Sequence, residues 1–419
     1  MRVNRRVTRR LIPFLFALYV VAFLDRVNVG FAALQMKADL GFGDAVYGLG
    51  AGIFFLGYFV FEVPSNLILE RVGPRFWIAR IMISWGLVSA GMAFVRSESA
   101  FYALRFLLGV AEAGFFPGIV LYLTYWFPAA ERARATALFM TATAMSGVIG
   151  GPLSGALLEL DGALGFHGWQ WLFVAEGLPA VALGFAVLRF LTDRPEDARW
   201  LPEDERRALV ARLAAERAAV VGRHGDDLRR ALAHPRVWAL ALLYFAIIVG
   251  LYGVSLWLPQ IVRDLGPRGA FEIGLLTAIP YLAAALAMVA VGAHSDRRGE
   301  RRWHVAVSAL VGAAGFAATA TLEVPPAASI ALLSVAAAGV WGCFGPFWAL
   351  PGSFLAGSAA AGGIALINSI GNLGGFVGPY ALGLLREATG DFRAGLGLLA
   401  LSLAAVALLA LRLPREQRG

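Results

Sequence analysis

A single cysteine in 419 residues, Cys343, excludes an intrachain disulfide framework and any cysteine-cluster metal site. Charge is scarce as well. Only 15% of the residues are Asp, Glu, Lys or Arg, where a soluble domain carries about 25%. The five histidines, at 167, 224, 234, 294 and 304, are scattered without metal-ligand spacing, and no metal site or cofactor is expected. No nucleophile–base pair or phosphate loop is recognisable, so the chain does not read as an enzyme. What is abundant is apolar residue, at 59% with a mean hydropathy of +0.70. That balance indicates a polytopic membrane protein, with lipid as its surroundings.

Hydropathy places twelve spans at 11–34, 47–69, 77–95, 100–126, 135–158, 169–191, 236–262, 272–294, 303–322, 327–349, 359–384 and 392–412. Each is about 20 residues or longer, as a hydrocarbon core requires. The opening MRVNRRVTRR runs into an apolar stretch too long for a signal-peptide core, so it is expected to remain as the first helix. A net charge of +8 invites a nucleic-acid reading, but the positions of the basic residues oppose it. With the N-terminus inside, the external loops hold only Lys37, Arg96, Arg263, Arg268, Arg386 and Arg393 of the 36 Lys and Arg. The bias follows the positive-inside rule, with both termini cytoplasmic in a cell membrane and no nucleic acid as partner.

One long charged stretch divides the chain: residues 1–191 form a first six-helix bundle, 192–235 a cytoplasmic linker and 236–419 a second bundle. Leu, Val and Ala spacing over 200–221 predicts a short amphipathic helix in the linker, with Pro202 near its first turn. The linker is too small for the output domain of a membrane sensor. Two features recur on either side of it. NLILERVGPR (66–75) returns as GAHSDRRGER (292–301), 226 residues later, and Pro152 of GGPLSG matches Pro379 of VGPYALG, 227 residues later. Two matches at one offset point to a duplicated unit.

GAHSDRRGERR resembles the loop signature of the major facilitator superfamily, although the first copy has Asn66 and Glu70 where the signature has glycine and aspartate. FLDRVNVGFA, FEVPSNLILERVGPRFW, RFLLGVAEAGFFPG and ALINSIGNLGGFVGP are similar to the anion:cation symporter family, especially its bacterial branch for tartrate, sugar acids and aromatic acids. The resemblance implies an all-α membrane fold of two pseudo-symmetric six-helix bundles. It also implies alternating access in a chain that is a complete pathway as a monomer. In the family the loops latch the inner gate, which assigns gating to Glu70, Arg71, Asp296 and Arg297.

Charges deep in a bilayer cost about 2.5–3.5 kcal/mol each on insertion scales, so they must pair, line a wet cavity or titrate. The deep candidates are Asp25, Arg26, Glu62, Arg105 and Glu112. Asp25 and Arg26 are about 100° apart on a helix and cannot face the same way. Arg26 is expected to reach the cavity and grip a substrate carboxylate through paired hydrogen bonds. Asp25 would then face span four and join Arg105 and Glu112, which share one helix face. Such a cluster suits reversible proton binding; the alternative is a fixed ion-pair network that only orients helices. The resemblance implies proton coupling at Asp25 and Glu112 and anion binding at Arg26 and Arg105. It also matches Tyr58 and Asn372 to substrate contacts; Thr143 departs from the longer amide of one branch member. Asn368 and Asn372, four apart, stack on one face and suit a hydroxylated substrate body. Glu62 is read as a partner for the inner gate or for the backbone around Pro64. The expected function is proton-coupled uptake of a small organic acid, with H+ as coupling ion. The alternative is an organic-anion exchanger or exporter without proton coupling.

Overall fold

The computed structural model describes residues 2–221, 234–351 and 357–413. The linker's residues 222–233, with His224, and the basic tail 414–419 lie outside the described residues. Long apolar runs become helices because only an element that satisfies its own backbone can sit in hydrocarbon. The order is α1 (Arg2–Leu40), α2 (Asp44–Val72), α3 (Pro74–Gly91), α4 (Glu98–Glu112), α5 (Phe115–Trp126), α6 (Ala129–Met140), α7 (Ala142–Leu158), α8 (Gly168–Phe190) and α9 (Glu203–Val221). After the linker come α10 (Pro235–Asp264), α11 (Ala270–Arg298), α12 (Arg302–Thr321), α13 (Pro326–Gly342), α14 (Phe344–Ala349), α15 (Gly357–Asn372), α16 (Gly374–Thr389) and α17 (Arg393–Arg412). The linker helix expected over 200–221 is α9, which begins directly after Pro202.

Among the described residues, ten stretches are long and apolar enough to cross a membrane. The spans expected at 135–158 and 359–384 are the other two, and each is split by one residue, Thr141 between α6 and α7 and Leu373 between α15 and α16. Spans four and ten are also broken, after Glu112 and at Cys343. The breaks fall in the same two spans of each half. Thr141, Cys343 and Leu373 keep helical torsions, and neighbouring groups can take over the backbone bonds that a break releases. At Gly114, φ is +85°, a left-handed conformation that favours glycine. The Ser65 hydroxyl donates to the Ala113 carbonyl at that break, at 2.6 Å.

α1–α8 pack mainly among themselves, and so do α10–α17. Leu286, Phe185, Leu401 and Leu408 point outward, 61–70% exposed, as a lipid-facing surface requires. The two sets touch along α2–α16, α7–α11 and α1–α10. Call the end that carries both termini the terminal end and the opposite one the far end. At the far end the touching surfaces repeat. A Cβ on Gly48 would lie 2.7 Å from the Pro379 carbonyl oxygen, and one on Gly274 would lie 2.2 Å from that of Gly151. Gly48 and Gly274 are 226 residues apart, so the duplication seen in the loops also builds both seams. Arg386 adds an ion pair across the α2–α16 seam, to Asp44 at 3.6 Å.

These seams make a prediction. Gly48→Val and Gly274→Val are each expected to disfavour far-end closure by about 1–3 kcal/mol, a factor of roughly 5–150 in population. Spin-label distances across the far end, with Cys343 replaced, should lengthen in both variants. Unchanged distances would show that the seams tolerate a side chain.

Candidate functional site

A central cavity lies between the two sets of helices. Its wall includes Arg26 from α1, Tyr58 from α2, Thr143 from α7, Tyr252 from α10, and Asn368 and Asn372 from α15. Arg26 is 6% exposed. Its Nη1 donates to Tyr252 Oη at 2.8 Å, and its Nη2 donates to Glu112 Oε1 in an ion pair. The Phe54 and Tyr58 rings each lie 5.4 Å from the guanidinium carbon, a cation–π arrangement. Nε has no partner. Glu112 closes α4 just before the break at Ala113–Gly114, so the last turn of that helix presents it to Arg26.

The helical argument separates Asp25 from Arg26, and the two side chains do diverge. Asp25 turns toward α3 rather than α4, which corrects the expected cluster. Its carboxylate accepts from Trp85 Nε1 and Ser89 Oγ, one turn apart on α3, and from Asn28 Nδ2 at 3.1 Å. Three donors satisfy it without an arginine. Arg105 is fully buried, and its Nε and Nη2 donate to the carbonyls of Gly50 and Ala51, both at 3.1 Å. It sits against Phe54 and is not part of the cavity wall, because the α2 backbone takes the guanidinium.

Glu62 has the largest consequence that the sequence did not make plain. It is 4% exposed, and its two oxygens accept from Asn368 Nδ2 at 2.6 Å and Ser369 Oγ at 3.0 Å, across the seam between α2 and α15. The available signal was its place one turn after Tyr58 on the same face. Tyr252 carried a second signal: it is 226 residues from Arg26, the offset of the repeat, so the two occupy equivalent positions and meet across the cavity. Glu70, Arg71, Asp296 and Arg297 are all exposed at the terminal end. Asp296 pairs with Arg301 of its own loop at 2.5 Å, and among the described residues no bond joins the two loops.

The broken helices, far-end seams and buried polar cavity define a membrane transporter of two-bundle architecture. The family model for the Major Facilitator Superfamily matches residues 15–379, and the chain belongs to that family. The chain is 53% identical to a protein of Agrobacterium vitis named "Putative tartrate transporter", over 99% of this chain and 95% of that one. It is 45% identical to the "Quinolone resistance transporter" of Acinetobacter baumannii, over 94% and 91%. Among solved structures, the xylose transporter XylE from E. coli, in a partially occluded inward open conformation, aligns with a TM-score of 0.78. That alignment covers 98% of this chain and 99% of that one at 14% identity, a likeness of fold alone. The chain is therefore a transporter and not an enzyme.

Proposed function

We propose that this chain carries a small organic anion, of the tartrate or sugar-acid class, together with protons by alternating access. One observation carries the reading: among the described residues the only guanidinium on the cavity wall, Arg26, is held by Glu112. A substrate carboxylate and Glu112 then compete for one cation. A proton on Glu112 ends its claim and frees Arg26 for the anion; loss of that proton restores the internal pair and expels the anion. Asp25, on the next position of α1, is the second coupling acid. Tyr58, Asn368 and Asn372 hydrogen-bond the hydroxylated body of the substrate. Arg105 supports the site from behind Phe54 and reaches an anion only in a state that releases Gly50 and Ala51.

The units that rock are residues 1–191 and 236–419, joined by 192–235, in a monomer with both termini cytoplasmic in a bacterial inner membrane. Exposure of Glu70, Arg71, Asp296 and Arg297 supports a state open on the terminal, cytoplasmic side, in which the latch is undone. In proteoliposomes, uptake of one or more of tartrate, aldonates and hexuronates is expected to accelerate with an inward proton gradient. Gradient-independent uptake of every transported acid would sink the symport reading. The second reading is an organic-anion exchanger or exporter without proton coupling. It expects anion efflux to run equally well with the gradient collapsed.

A further inference from the structure

A second group of buried acids lies behind the cavity wall; it shares Asp25 with the proposed transport reading and adds Glu176, which that reading does not use. Asp25 and Asn28 of α1 meet Glu176 of α8 in the interior of the first half, exposed by 1%, 1% and 4%. Nothing in the hydropathy of α8 flags Glu176, which sits between apolar turns. Its Oε1 accepts from Ser154 Oγ of α7 at 2.7 Å. Among the described residues its Oε2 has no partner. Asn28 stands between the two acids: Nδ2 donates to Asp25 Oδ1 at 3.1 Å, the amide also reaches Glu176, and among the described residues Oδ1 has no partner. The amide cannot be turned round, because its oxygen would then face the Asp25 carboxylate.

Arg105 and Glu112 of α4 act on Asp25 through space with opposite signs, and among the described residues no cation is bonded to either acid of the cluster. α3 contributes Trp85 and Ser89, α7 contributes Ser154, and among the described residues neither acid has a Lys, Arg or His nitrogen within the 4.0 Å of an ion pair. Two ionised carboxylates sharing one amide, with Glu176 Oε2 and Asn28 Oδ1 both orphaned, is an arrangement that proteins resolve by neutralising one acid.

We infer that Glu176 binds a proton, so that Asp25, Asn28 and Glu176 form a proton-binding site separate from the cavity. The proton sits on Oε2, and the carboxylic O–H turns to Asn28 Oδ1, the acceptor that no other donor claims. One proton thus satisfies both orphaned oxygens and leaves the cluster with a single negative charge on Asp25, where Trp85, Ser89 and Asn28 already supply donors. The inference stands whether or not the anion moves with protons, so it and the symport reading fail separately.

Infrared spectroscopy of the full chain in liposomes at neutral pH tests it. Wild type is expected to show the carbonyl stretch of a protonated carboxylic acid that Glu176→Gln loses and Glu112→Gln keeps. An unchanged band in Glu176→Gln would overturn the assignment. The amide of Glu176→Gln imitates the protonated acid, so its melting temperature should match wild type; a large drop means that the glutamate was ionised. Ser154→Ala removes the donor to Oε1 and should move the same band to higher frequency. A band that stays in place in that variant puts the proton on another residue.

Discussion

Arg26→Lys is expected to fold, reach the membrane and lose uptake of its organic acid by on the order of a hundredfold, the effect of 2–5 kcal/mol from a disrupted buried charge pair. Lysine keeps the charge but not the fork. In the structure Arg26 serves Tyr252 with one terminal nitrogen and Glu112 with the other, and the whole plane lies near Phe54 and Tyr58. A substrate carboxylate that displaces Glu112 needs that plane, with Tyr252 still holding its other edge. An ammonium is a point charge that holds one partner well and orients nothing. Arg26→Ala should behave differently: it strands Glu112 as a buried, unpaired acid, which costs about 3–5 kcal/mol of stability. The double variant Arg26→Ala with Glu112→Gln should recover much of that stability without recovering transport. Radiolabelled uptake and melting temperature together check the set. Near-wild-type transport by Arg26→Lys would remove Arg26 from the anion site.

Glu112→Gln should separate binding from energy coupling. With the competing carboxylate gone, Arg26 is available to the anion at every pH. Wild type should bind its anion more tightly as pH falls, since each proton taken by Glu112 releases Arg26; as pH rises, the internal pair wins and affinity drops. The variant should show high affinity with most of that pH dependence removed. It should also lose concentrative uptake driven by a proton gradient while retaining exchange of anion for anion, which needs no net proton movement. Binding titrations at acidic and neutral pH, paired with uptake and counterflow, check both parts. Accumulation against a gradient by Glu112→Gln would assign coupling to another acid, Asp25 first.

The spans were legible because the hydrocarbon core imposes a length and a polarity that composition must obey. Their ends run a few residues further in the structure, as helices continue past the apolar stretch into the loops. The breaks at Gly114, Thr141, Cys343 and Leu373 were not legible in position, because glycines and small residues are spread through these spans and only neighbours such as Ser65 decide where a turn opens. Arg26 could be read to the cavity from the 100° step between adjacent residues, but the same rule leaves Asp25 several possible neighbours. Trp85 and Ser89 carry no mark in sequence that they would take it. Glu176 escaped because a lone acid in an otherwise apolar helix looks like an interfacial residue until Asn28 and Ser154 are seen beside it. Glu62 was visible as an acid, while its bonds to Asn368 and Ser369 join residues 306 and 307 positions away that only the packing brings together.

The four breaks have a mechanical consequence. α6, the short piece between the terminal end and Thr141, has 12 residues, a rod of about 18 Å at 1.5 Å per residue. Pivoting at Thr141 by roughly 10° moves its tip by about 3 Å on that length, comparable to the width of a water molecule. The far-end seams need not loosen for such a swing. A gate built from short levers can therefore admit or shut out solvent while most of the bundle stays clamped, and the effort of closing falls on four elbows of one or two residues.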